Sequence, residues 1–132
     1  MIPKFRAWDK RENTMRDVAV LHFTKGGKVN SIEYWKTPSE LKSYHVRNLV
    51  LMQSTGLKDK NQVESWEGNY LTKEGCWPFF IKRIENEGCL MAVPANGVQR
   101  TNWKPVSVKE LLDTGYVNNG NIYENPELLE VK

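Results

Sequence analysis

The sequence has no apolar run near the roughly 20 residues that a helix needs to cross a bilayer, and it offers no sign of a membrane partner. Its opening, Met1-Ile2-Pro3-Lys4-Phe5-Arg6, lacks the apolar stretch of a secretory leader, so the cytoplasm is the expected setting. It has 2 Cys and 2 His, too few for a disulfide framework or a Cys/His metal motif. Cys76 and Cys89 follow no helix-start signal and adjoin no His, which argues for small apolar packing residues over nucleophiles. No run of like charge reaches the five or six that mark a binding tail. There is no internal repeat, linker or strand–helix–strand rhythm, so a doubly wound parallel sheet is excluded.

What is present is aromatic and β-prone. Five Trp, five Tyr and four Phe in 132 residues suit a β-rich core. A chain of this length holds one domain, residues 1–132, and buries a core without staples. The charge is uneven: residues 1–66 carry 12 Lys/Arg against 7 Asp/Glu, a balance of +5, and residues 67–132 carry 7 against 9, a balance of −2. The basic half raises a nucleic-acid partner. Cations spread over separate solvated turns are the plainer reading, since Lys10-Arg11, Lys25 with Lys28, and Lys58 with Lys60 fall in different turns.

Phe5–Trp8 alternates like a half-buried strand. Met15–Phe23 is apolar on both faces, which suits a central strand. Lys25-Gly26-Gly27-Lys28 signals a hairpin with a primed turn, and Val29–Trp35 is its partner strand. Thr37-Pro38-Ser39-Glu40 has the form of a capping box and predicts a short helix ending near Val46. The central unit, Leu49–Leu71, predicts a strand over Leu49–Ser54, a break at Ser54-Thr55-Gly56, an exposed turn over Lys58–Gln62, and a strand over Glu64–Leu71. Phe79–Ile84 and Gly88–Val93 form a hairpin turning at Asn86-Glu87-Gly88, with residues 85 and 89 opposed. Ser107-Val108-Lys109-Glu110 caps a helix that stops at Gly115. Tyr116–Glu124 is a last strand, interrupted at Asn118-Asn119-Gly120, and Asn125-Pro126 opens a final helical turn. The expected class is α+β, mainly β: a small distorted or SH3-like barrel with short peripheral helices. Its expected core is Phe5, Trp8, Leu21, Phe23, Ile32, Leu51, Trp66, Ile81, Ile122 and Leu128.

Three stretches carry a resemblance. The first is Ile2–Lys10, followed by Met15; the second is Leu51–Asn61, followed by Trp66-Glu67-Gly68; the third is Gly120–Leu129. In this order, at start, middle and end, they resemble the YopX family of phage and prophage proteins. The resemblance implies a small β-rich protein carried by phages of Gram-positive bacteria or their prophages; with an opening that lacks a secretory leader, the cytoplasm of that bacterial host is the expected setting. It supplies no catalytic residue, because the family has no assigned activity. The sequence departs from the family pattern at Gln62, where Gly is usual, and at Trp66-Glu67-Gly68-Asn69, where Tyr-Glu-Gly-Asp is usual. Asn69 in place of the acid puts any metal or basic partner of that acid in doubt.

The candidate binding surface is Asp59, Lys60, Trp66, Glu67 and Asn69. Asp59, Glu64 and Glu67 supply the oxygens a hard cation would need, but their spacing fits no known loop motif and a solvated turn explains them. His22 and His45 read as structural. Gly26-Gly27 is not a phosphate loop, since no helix follows it. Trp8, Trp35, Trp66 and Trp77 amid Lys4, Arg6, Lys36 and Lys82 suggest a stacking face, against the simpler reading as core. No cofactor, metal or catalytic residue is expected. The leading expectation is a non-enzymatic binding or adaptor protein acting on a host or phage protein. Weak nucleic-acid binding is second. A small nucleotide- or nucleic-acid-processing enzyme is third, for want of a nucleophile with its base or a phosphate loop. A homo-oligomer that hides strand edges stays open.

Overall fold

A computed structural model describes residues 4–84, 89–94 and 105–125. The chain divides into two compact units, one built on Ile2–Gln53 and the other on Ser54–Lys132. The strands are β1 (Phe5–Asp9), β2 (Thr14–Phe23), β3 (Val29–Thr37), β4 (Glu40–His45), β5 (Leu49–Lys58), β6 (Glu64–Trp66), β7 (Asn69–Thr72), β8 (Phe79–Ile84), β9 (Cys89–Pro94) and β10 (Val117–Asn121). A 3-10 turn covers Val46–Asn48, and the helix α1 covers Val108–Asp113. The hydrogen-bonded orders are β4-β3-β2-β1-β5-β6 and β10-β7-β8-β9, with antiparallel neighbours throughout. The protein is mainly β, as expected, but both sheets are open and no barrel closes among the described residues. Strand count and aromatic content are the same for an open sheet and a barrel. Closure is a pairing of first and last strands, which no local pattern encodes.

In the N-terminal unit β2 is central between β1 and β3, as its two apolar faces predict. Its register to β3 jumps between Val18 and Val20, and again between His22 and Phe23. These bulges reset the alternation. Val18 and Leu21 pack on a core of Ala7, Ile32, Tyr34 and Leu49, while Phe23 turns outward and is 60% exposed. The β2–β3 hairpin is a three-residue loop: Thr24 N–H donates to Lys28 O at 2.7 Å and Gly27 N–H to Thr24 O at 2.9 Å. Of its two glycines Gly27 alone takes positive φ, at 89°, so the turn is not the two-residue primed type.

The expected helix over Thr37–Val46 does not form. Thr37 and Ser39 serve the β3–β4 turn, Ser39 N–H donating to Thr37 Oγ1 at 3.4 Å, and Glu40–His45 pairs along β3 from Thr37 back to Ser31. A lone helix of about ten residues is marginal in water. A neighbouring strand with open hydrogen-bonding groups outcompetes it.

The C-terminal unit packs Leu71, Ile81, Ala92, Val108, Leu111, Leu112 and Tyr116, with Leu57, Phe79, Leu90 and Val106 against them. Each such large apolar side chain, fully buried, contributes on the order of 1.5–3 kcal/mol. Helix α1 starts as the capping box predicts: Ser107 Oγ accepts Glu110 N–H at 3.4 Å, and the chain leaves through Gly115 at φ 107°. Strand β5 does not break at Ser54-Thr55-Gly56. It runs on to Lys58 with a bulge, for which Gly56 supplies φ 79°. The strand expected over Glu64–Leu71 is two, β6 and β7, divided at Glu67-Gly68, where Gly68 has φ 91°. The β8–β9 hairpin forms with Ile84 opposite Cys89, one residue off the expected register. Of the expected core, Ile32 and Ile81 are fully buried, and Phe5, Trp8, Leu21, Leu51, Trp66 and Ile122 are partly so. Leu128, the Asn86-Glu87-Gly88 turn and the final helical turn after Asn125 lie outside the described residues.

Candidate functional site

The candidate surface expected at Asp59 proves to be an interior brace. The Lys58–Gln62 turn exists: Asp59 N–H donates to Val63 O at 3.0 Å and Gln62 N–H to Asp59 O at 2.9 Å. This is the geometry of the Thr24–Lys28 loop, with Gln62 at φ 65° where that loop has Gly27. Asp59 itself is not exposed; its relative accessibility is 3%. Its carboxylate folds back under its own turn. Oδ1 accepts Asn61 N–H at 2.8 Å and Val63 N–H at 3.0 Å, and Oδ2 accepts Asn118 N–H at 2.9 Å and Asn118 Nδ2–H at 3.1 Å. Burial pushes the Asp59 carboxyl up, but the N–H groups of Asn118, Val63 and Asn61 outweigh it and hold the group below its ordinary range. With those lone pairs filled by N–H donors, Asp59 has none directed at a cation. Glu64 likewise accepts the Ser54 hydroxyl.

Asn118 extends the brace. Its Nδ2 lies 2.9 Å from Ser65 Oγ and 3.1 Å from Val63 O, and its Oδ1 accepts Asn69 Nδ2–H at 2.9 Å. Asn69 and Ser65 are both buried. Asn69 is thus an amide donor inside a polar network. Of the remaining expected site residues, Lys60 is exposed and Trp66 half-buried opposite Ser54. Glu67 is half-buried near Tyr123, whose phenol is pushed up by burial and by the Glu67 charge. The five do not form one open surface. Trp8 is half-buried, whereas Trp35 and Trp77 are each 47% exposed. Among the described residues no three His, Cys, Asp or Glu are placed to hold a metal ion.

The N-terminal unit has a parallel brace with a different consequence. Asp9 ends β1 and is fully buried. Its Oδ1 accepts Arg11 N–H at 3.0 Å, Glu12 N–H at 3.2 Å and the Tyr44 hydroxyl at 3.4 Å; Arg16 Nε and Nη2 donate to Oδ2 at 3.4 and 3.3 Å. Burial pushes the Asp9 carboxyl up, and the Glu12 and Arg11 N–H groups with the Arg16 guanidinium hold it below its ordinary value. That guanidinium also lies 4.7 Å from the centroid of the Tyr34 ring, a cation–π contact. Tyr34 and Tyr44 pair at 6.2 Å.

These fixed groups line an open groove of about 450 Å³. Arg11 and Glu12 come from the β1–β2 turn, Arg16 from β2, Tyr34 from β3, Lys42 to His45 from β4, and Arg47 and Asn48 from the 3-10 turn. Lys10 N–H donates to Asn48 O at 2.9 Å, tying the β1–β2 turn to the 3-10 turn. Arg16 is neutralised by Asp9. Among the described residues the side chains of Arg11, Lys42 and Arg47 make no hydrogen bond or ion pair, and Glu12 is the one other acid lining the groove. The C-terminal unit has a depression of about 500 Å³ with Lys60, Lys73 and Glu74. Its Lys73 amine is already spent on Thr114 O at 2.6 Å. Among the described residues the N-terminal groove therefore keeps more uncommitted cationic side chains.

Sequence reasoning missed this convergence because it put Lys42 on a helix. The available signal was that Leu41–Val46 has no helical apolar stripe, only Leu41 and Tyr44 at a spacing of three.

Two open antiparallel sheets, one short helix and two buried carboxylate braces define a small, mainly β protein whose open groove is basic. A family model described as YopX protein matches residues 4–130, and the chain belongs to the YopX family. It is similar in fold to protein EF1440 from Enterococcus faecalis, seen in a crystal structure, with a TM-score of 0.66 and 29% identity over 98% of this chain and 99% of that one. No curated protein matches. No helix among the described residues is long and apolar enough to cross a membrane.

Proposed function

We propose that this chain is a phage- or prophage-encoded binding protein, non-enzymatic, that docks an acidic region of a host or phage protein in the cytoplasm of a bacterial host. One observation carries the reading: Arg11, Lys42 and Arg47 converge on one groove with no side-chain partner among the described residues. Three cations held around one cavity repel each other, and an acidic occupant relieves that repulsion. The rigid groups beneath them, Arg16 clamped by Asp9 and Tyr34 against Tyr44, keep the groove formed before binding, which lowers the ordering cost. The phage setting rests on the three motif stretches.

Nucleic acid is the second reading, favoured by the same cations. Three free cations would neutralise about three phosphates, giving sequence-independent binding in the range of roughly 10⁻⁴ to 10⁻⁶ M.

The test is retention of host-lysate components on immobilised wild type and on the R11E/K42E/R47E variant, with and without nuclease. A stoichiometric protein that survives nuclease and is lost with the variant is expected. Recovery that vanishes with nuclease overturns the reading.

A further inference from the structure

The geometry points to a specific occupant: an extended peptide segment of alternating acidic and apolar residues that adds to the sheet beside β4. This rests on the acidic-partner reading above and specifies the partner's chemistry.

Strand β4 is the edge of its sheet, and among the described residues nothing pairs with its outer side. Its six residues leave a row of backbone donors and acceptors available. The groove meets this strand at four consecutive residues, Lys42, Ser43, Tyr44 and His45. Successive side chains of a strand point to opposite faces. A cavity lined by four in a row therefore reaches the strand's backbone rather than one face alone.

The two faces differ in chemistry, and the pairing shows it. Lys42 stands opposite Tyr34 and Tyr44 opposite Ile32, so these share the face of the core, where Tyr34 is 2% exposed. That face carries Lys42 and, from the groove, Arg16 on Tyr34. Leu41 stands opposite Trp35 on the other face, and the pair is 40% and 47% exposed. Val20, opposite Glu33, lies on that face too and is 36% exposed.

A strand added at β4 would thus meet Lys42 on one face, in a groove that Arg11 and Arg47 also line, and Leu41 with Trp35 behind it on the other. A peptide whose odd residues are acidic and even residues apolar satisfies both at once. A lysine at an edge blunts self-association, and a second copy of β4 in parallel register would set Lys42 against Lys42. An acidic strand converts that guard into an attraction.

The experiment uses the whole chain and a synthetic peptide alternating glutamate and valine, of about eight residues to span a six-residue strand. Two further peptides carry backbone N-methyl groups, one on its glutamates and the other on its valines. Alternate N–H groups of a strand point to opposite edges, so a single one of these two removes the donors that face β4. Affinity is measured by fluorescence anisotropy, and backbone amides of β4 are followed by hydrogen exchange. The expected result is binding by the parent peptide, at least tenfold loss for one methylated isomer and little for the other, and new protection in β4. R11E/R47E should lose at least tenfold for all peptides. Equal binding by parent and both isomers, with loss in R11E/R47E, overturns strand addition and leaves the acidic-partner reading standing. Equal binding by wild type and R11E/R47E overturns the groove reading as well. Failure of the parent peptide to bind below about millimolar, where a single-stranded oligonucleotide does bind, overturns both.

Discussion

Replacing Asp59 with alanine removes four hydrogen bonds to one buried carboxylate, from Asn61 N, Val63 N, Asn118 N and Asn118 Nδ2. Asn61 and Val63 are exposed, so their N–H groups regain water, and each lost bond there costs about 0.5–1.5 kcal/mol. All three backbone N–H bonds are part-buried, but Asn118 is itself a half-buried residue, and leaving its N–H unmet costs about 1–3 kcal/mol. Asn118 Nδ2 keeps Ser65 Oγ and Val63 O as acceptors and loses little. Against this, the variant no longer desolvates a charge, so the net expectation is about 2–4 kcal/mol, a large share of a typical total of 5–15 kcal/mol. Urea unfolding followed by tryptophan fluorescence reads the change directly. The pH dependence supplies a second check. The folded carboxyl lies below its ordinary value of 3.8, so the unfolded state binds the proton more readily. The stabilisation is complete above the unfolded value and is lost as pH falls through the folded one. D59N, uncharged, should flatten part of that acid limb, Asp9 supplying the rest by the same sign. A D59A protein within about 0.5 kcal/mol of wild type at neutral pH, the ordinary range for surface changes, would refute the brace.

Four other outcomes follow from the same geometry. Gln62→Gly should stabilise by about 0.5–1 kcal/mol, since a left-handed non-glycine costs about 1–2 kcal/mol and glycine's unfolded-state entropy returns part of it; equal urea midpoints would count against it. Gly120→Ala should cost about 2–3 kcal/mol, because the position has φ 86° and a Cβ would sit 2.4 Å from Asn125 Oδ1, which accepts Asn121 N–H; thermal unfolding reads it. Ser107→Ala should cost about 1 kcal/mol through its cap on α1, while Ser107→Asp keeps the stability; paired denaturation curves decide. DNA or RNA binding should be weak, fall with a shallow salt slope and show no sequence preference; nanomolar binding that persists near physiological salt would promote the nucleic-acid reading.

The sequence by itself determined the β class, the central place of β2, the pairing of β2 with β3 and of β8 with β9, the capped helix at Ser107 and the family. Each of these is local. Two-residue alternation, a cap three residues from its partner and a short motif are all written within a few neighbouring positions. The turn at Asp59 was legible as a turn, but its carboxylate read as solvent-facing. Only the fold shows Tyr44 and Arg16 meeting Asp9, and Asn118 reaching Asp59 across 59 positions of chain. Gln62 was visible as a departure, and only the hydrogen-bonded turn shows that it occupies a left-handed position. The basic groove was hidden for the same reason. Arg11, Lys42 and Arg47 lie in segments that propensity alone assigns to unrelated turns and a helix, and β4 became a strand because β3 offered it a ladder. Open sheets in place of a barrel were likewise a matter of which distant strands pair. Local chemistry fixes what a segment can be; long-range pairing chooses among those options and decides which charges end up sharing a cavity.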